Sequence, residues 1–144
     1  MRLRNSIVVG VLVFSFFPRS IRAQGNLVVN GGFTSDASGW SAINVAAGGG
    51  YSSKSGEPAG CFFLDTLSSS LADPTISQTL NGLIPGISYN VSGNYLFGPN
   101  GVGSTSANFG VAVDGNFLFE TAAQAPAAWY SFDFLYTATS SALP

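Results

Sequence analysis

The chain has 144 residues, 46% apolar and 8% charged, with 18 Gly and 7 Pro, a composition that suits one small turn-rich domain and speaks against a two-domain enzyme. Four of its five bases, Arg2, Arg4, Arg19 and Arg22, lie in the first 22 residues, so from residue 24 onward Lys54 alone faces seven acids, a net charge of −6. A body this acidic cannot neutralise a run of phosphates, which excludes nucleic acid and anionic membrane as partners, and the absence of His removes imidazole bases and the usual zinc and haem ligation.

The chain opens on Met1-Arg2-Leu3-Arg4, followed by an apolar run over residues 7–17 that only Gly10 and Ser15 interrupt. Pro18 ends that run, and Ile21-Arg22-Ala23 places a small residue just before Gln24. This order predicts a secretory signal peptide cut after Ala23. As a helix, residues 7–17 would span about 16 Å, short of the roughly 30 Å of a hydrocarbon core. The expected organisation is a leader over 1–23 and one exported domain over 24–144, secreted or at the cell surface, with no membrane insertion of the mature chain. Cys61 is the only cysteine, so no intrachain disulfide forms and the domain must stand on its core. At this length a fold buries roughly two-thirds of its unfolded surface, which makes that feasible.

Short apolar stretches then alternate with Gly, Asn, Ser and Pro clusters, and no window carries a helical period. Residues 27–29, 40–45, 61–65 and 75–80 are predicted strands, with turns at 46–50 and 99–104 and surface loops at 52–60 and 68–73. Pro85-Gly86 turns the chain into the clearest strand, where Tyr89, Val91, Gly93, Tyr95 and Phe97 alternate with Asn90, Ser92, Asn94 and Leu96. Phe109, Val111 and Val113 alternate with Asn108, Gly110 and Ala112, and Asp114-Gly115 predicts a tight hairpin into 117–119. Tyr130, Phe132, Phe134 and Tyr136 against Trp129, Ser131, Asp133 and Leu135 repeat the pattern. About eight short strands at this spacing predict an all-β domain of the β-sandwich type.

Asn26-Leu27-Val28-Val29-Asn30-Gly31-Gly32-Phe33, followed by Gly39-Trp40, resembles the opening of CenC-like carbohydrate-binding modules. Ile76-Ser77-Gln78-Thr79-Leu80, then residues 83–86 and Tyr89-Asn90-Val91-Ser92, is similar to that family's middle, and Trp129-Tyr130-Ser131-Phe132-Asp133-Phe134 with Thr137-Ala138-Thr139 to its late strand. The matches spread loosely over residues 26–139. The resemblance implies a galactose-binding-like jelly roll that binds a polysaccharide or cell-surface glycan without catalysis, alongside other domains of a longer parent protein. Two departures touch the structural calcium of such modules: Thr34 stands where an acid commonly follows the opening Phe, and the sequence ends at Pro144 before the closing strand with its acidic pair. The expected domain is therefore truncated at its C-terminus. Similar openings occur in small exported bacterial proteins that end in a sorting signal and anchor, which makes a structural or adhesive surface protein the alternative.

A sugar offers an apolar C–H face and a rim of hydroxyls, so its site needs a flat exposed aromatic beside amides and carboxylates. If the apolar rows of the late strands face the core, strand parity sends Asn90, Asn94, Asn108, Trp129 and Asp133, with Ser92 and Ser131, to the other side. These form the candidate carbohydrate platform. Trp40 is read as a core plug, Tyr51 as a surface residue with a loop-lid alternative, Gln78 as an inward hydrogen-bonded group, and Cys61 as a buried thiol. Asn90-Val91-Ser92 fits a glycosylation acceptor but falls mid-strand, and Gly48-Gly49-Gly50 with Lys54 lacks the order of a phosphate loop. No two of the seven acids form a glycosidase pair by spacing, so no catalysis and no cofactor is expected.

Overall fold

A computed structural model describes residues 5–10, 25–56, 58–66, 73–97, 108–122 and 128–143. Among them are eleven strands and no helix, so the domain is all-β. In chain order these are β1 (Asn5–Gly10), β2 (Ser41–Ile43), β3 (Gly50–Ser52), β4 (Cys61–Thr66), β5 (Thr75–Ser77), β6 (Leu80–Asn81), β7 (Ser88–Leu96), β8 (Asn108–Val113), β9 (Asn116–Ala122), β10 (Trp129–Thr137) and β11 (Ala142–Leu143). The main sheet has five strands in the order β10-β7-β1-β4-β3. Three two-stranded sheets, β2–β5, β6–β11 and β8–β9, accompany it.

Period two decides the best-formed part. Along β7 burial alternates at every residue, with Tyr89, Val91, Gly93 and Tyr95 inward and Asn90, Ser92, Asn94 and Leu96 on the other side. β10 pairs with it antiparallel over nine residues, from Trp129↔Leu96 to Thr137↔Ser88. The β8–β9 hairpin covers the inner face of this pair: Phe109 stacks on Tyr95 at 4.4 Å, and Phe119 lies 5.7 Å from Phe132. Asp114 and Gly115 both take positive φ, 53° and 72°, as a tight two-residue hairpin turn demands. A register shift between Val111 and Ala112 then pairs Ala112 with Phe117.

The first half of the domain departs from its sequence reading. Residues 27–29 form no strand but enter a turn, because Asn30 and Phe33 adopt φ of 50° and 47° and the Phe33 N–H donates to the Asn30 carbonyl at 3.2 Å. The 75–80 stretch splits into β5 and β6, and the 40–45 stretch shrinks to β2, in which Ile43 is exposed. The turns and loops read at 99–104 and 68–72 lie outside the described residues.

Asn5–Gly10, inside the segment read as a leader, forms β1 between β4 and β7, pairing antiparallel with β4 from Asn5↔Thr66 to Gly10↔Cys61. The run Ile7-Val8-Val9 is as well suited to a strand as to an export signal, since β-branched residues fit the pleated sheet. Around the sheet, Tyr89, Phe33, Val91 and Cys61 are the largest fully buried side chains.

Candidate functional site

The parity of β7 and β10 assembles most of the sequence-predicted platform. On their outer face the register places Trp129 opposite Leu96, Ser131 opposite Asn94, Asp133 opposite Ser92 and Leu135 opposite Asn90. Trp129 is 37% exposed, a large indole held at one end of this strip. Diagonally across the strands, Asn90 Nδ2 donates to Asp133 Oδ2 at 3.2 Å. At the far end the Ser88 and Thr137 hydroxyls meet at 2.9 Å. At about 3.3 Å per residue the strip from Trp129 to Asp133 runs about 13 Å. Its donors and acceptors are amides, hydroxyls and one carboxylate, with an aromatic at the edge.

Asn108 does not join them. Its own strand obeys the expected alternation, with Phe109 and Val111 buried and Asn108 exposed. However, the inner face of β8 packs on the inner face of β7, so its outer face looks away from Trp129. Strand parity tells which side of a strand is exposed, not which of two layers the strand belongs to. On that opposite surface Asn108 Nδ2 donates to Glu120 Oε1 at 3.4 Å.

Beside that pair lies an aromatic that sequence reasoning missed. Phe117, expected within an apolar strand, is 68% exposed and its ring lies across Gly110, where a Cβ would come within 2.6 Å of Cε1. The signal was a glycine at the centre of an otherwise regular strand, which marks a close approach. The register shift beside it brings Phe117 onto the exposed face.

The remaining singled-out residues are structural. Gln78 clamps the opening segment to the β5–β6 stretch: its Oε1 accepts from the Val29 N–H at 2.7 Å, and its Nε2 donates to the carbonyls of Val29 and Gly39, each at 2.9 Å. Trp40 is half-buried, with its ring 5.3 Å from Phe33 and its Nε1 donating to the Asn30 carbonyl at 3.2 Å. Tyr51 is half-buried and packs against the core. The Cys61 thiol is fully buried, and loss of water around it pushes its pKa up to about 11, so it is not a reactive nucleophile. In the opening loop Thr34 and Asp36 are exposed, and the Asp36 carboxylate accepts from the Ser38 N–H at 2.9 Å and from Asn30 Nδ2 at 3.0 Å. Calcium takes roughly six to eight oxygen ligands. One carboxylate already bonded to its neighbours does not fit that need, and no group of three Cys, Asp or Glu gathers among the described residues.

Comparison with known protein families, with curated proteins and with solved structures finds no match to the chain.

Proposed function

We propose that the chain is a secreted, non-catalytic jelly-roll module, released from a leader over residues 1–23, that binds a polysaccharide or cell-surface glycan on the outer face of β7 and β10. The observation that carries this reading is the exposed Trp129 in register with a strip of Asn94, Ser131, Asp133 and Asn90. An indole covers the C–H face of a sugar ring, and amides and a carboxylate serve its hydroxyls as both donors and acceptors. The stretch from Trp129 to Asp133, about 13 Å long, suits a chain of rings better than a single one. Its aromatic contact contributes about 0.5–1.5 kcal/mol beyond area burial, so single-site affinity is weak and arrays of modules would multiply it.

The exposed Phe117 supports a second reading, in which the opposite face, with Asn108 and Glu120, meets the ligand. Affinity electrophoresis through gels containing soluble polysaccharides, joined to pull-down on insoluble ones, separates the two. Trp129→Ala should release the protein from the retaining glycan while Phe117→Ala leaves retention unchanged; the converse moves the site to the hairpin. Retention by no glycan at all would leave the structural or adhesive surface protein, for which exposed Val29, Ile43, Ile84 and Leu135 provide apolar contact points.

A further inference from the structure

The most unusual feature of the sheet is which segment stands at its centre. β1 lies between β4 and β7, and pairs with β4 at six consecutive positions, from Asn5↔Thr66 to Gly10↔Cys61. On its other side it pairs with β7 at Val8↔Leu96, whereas the far edge of β7 carries nine pairs to β10. The segment Asn5-Ser6-Ile7-Val8-Val9-Gly10 has no charge and three consecutive β-branched residues, and it sits within the stretch that carries the pattern of a removable leader. Cutting after Ala23 would therefore take the central strand out of a five-stranded sheet. It would leave the edges of β4 and β7 facing each other with unpaired N–H and C=O groups, the arrangement that templates strand addition. The core residues beside that slot are apolar: Phe62 and Leu64 on β4 and Tyr95 on β7 are buried.

We infer that the slot between β4 and β7 is a strand-acceptor site in the exported chain, and that its ligand is an extended, uncharged, β-branched segment of another polypeptide running antiparallel to β4. The inference rests on removal of the leader, not on glycan binding. Residues 5–10 define what fits. The ligand needs at least six residues to match the ladder on β4, and positions paired with Phe62 and Leu64 share their face and so must be apolar. It can carry no Pro at the centre, because a strand between two neighbours directs its N–H groups alternately to each. A longer donor would run on beside Ser88–Leu96, the edge of β7 along which the described residues provide that single pair.

The test begins with chain recovered from an export pathway, its N-terminus fixed by mass. A labelled synthetic peptide spanning Asn5–Gly10 is added and followed by fluorescence anisotropy, with hydrogen exchange of Cys61–Thr66 and of residues 94–96 at the end of β7 as the structural readout. Saturable binding that slows exchange in both strands, weakened at least tenfold in the Val8→Pro, Val9→Pro peptide, is expected. Where the recovered chain aggregates alone, the same peptide supplied during recovery should keep it monomeric and the proline peptide should not. A folded monomer beginning at Gln24 that ignores the peptide overturns the inference. So do an aggregate that the peptide does not rescue, a chain that keeps residues 1–23, and a dimer that protects both edges without any peptide. Glycan retention is scored on the same samples, so failure of the slot and failure of the platform are told apart.

Discussion

Between β7 and β10 nine residue pairs follow one another without interruption, while residues 26–40, which contribute Phe33 and Trp40 to the same core, contain no strand at all. The first region is held by a repeating backbone ladder and by side chains that alternate in burial. The second is held by single, unrepeated bonds: Gln78 to Val29 and Gly39, Trp40 to Asn30, Asn30 to Asp36. A ladder distributes its stability over many equivalent contacts, so loss of one polar side chain leaves its neighbours in register. A stitched segment concentrates its order in a few groups, and each has its own cost of removal.

The largest effect expected on the ladder side comes from its core. Phe132 is buried beneath the hairpin, within 6.0 Å of Phe109 and 5.7 Å of Phe119. Phe132→Ala should lower unfolding free energy by about 3–5 kcal/mol in urea titrations, through lost transfer and an unfilled cavity. A loss of only about 1 kcal/mol would mean that the hairpin does not pack there. The matching lesion on the stitched side is Gly60→Ala. Gly60 has φ of 117°, and a Cβ would meet the Phe33 carbonyl oxygen and lie 3.0 Å from that of Gly32. The strain and the clash together should cost about 2–4 kcal/mol, and the tryptophan emission of Trp40 should shift because Phe33 is displaced beside it.

These two sites also show what a sequence makes legible. The faces of β7, β8 and β10 could be read because each stores its orientation in five or more alternating residues, and the Asp114-Gly115 hairpin because its positive φ values belong to residue types that tolerate them. The opening turn could not be read that way. Leu27-Val28-Val29 looks like a strand, and what diverts it is left-handed backbone at Asn30 and Phe33 together with a clamp from Gln78, 49 residues away from Val29. That Gln78 is hydrogen-bonded was legible; that its partners lie in the exposed opening segment, with Gln78 itself only half-buried, was not. Four of the five platform residues come together because they lie on paired strands, whereas Asn108 is on a strand of the other layer, and no local pattern records layer membership. β1 escaped for a different reason: one apolar run satisfies both the rules of a leader and those of a central strand.

A smaller effect sharpens the contrast by removing only polar groups. Gln78→Ala deletes three hydrogen bonds without opening a large cavity, and should cost about 1–3 kcal/mol. Hydrogen exchange should speed at Val29 and stay unchanged along β7 and β10. Equal acceleration in both regions would show that the stitched segment and the ladder unfold as one unit.

The weakest stitch is a matter of protonation. The side chain and backbone of Ser38, and then Asn30, hydrogen-bond the Asp36 carboxylate and hold its pKa below the ordinary value of 3.8. Because the folded loop favours the charged form, its contribution is present above the unfolded pKa and is lost as the pH falls through the lowered folded value. The carboxylate is fully exposed, so water and salt screen this contribution and the global transition should hardly move. The local signal is clearer. The Ser38 amide resonance, which reports a 2.9 Å bond to Asp36 Oδ1, should titrate with a midpoint below 3.8, and Ser38→Ala should move the Asp36 midpoint upward more than Asn30→Ala does. A midpoint at or above the ordinary value would mean that the 26–40 segment is not stitched at the Asp36 carboxylate in solution, and that its order rests on the Gln78 clamp, Trp40 and the bonds to backbone carbonyls.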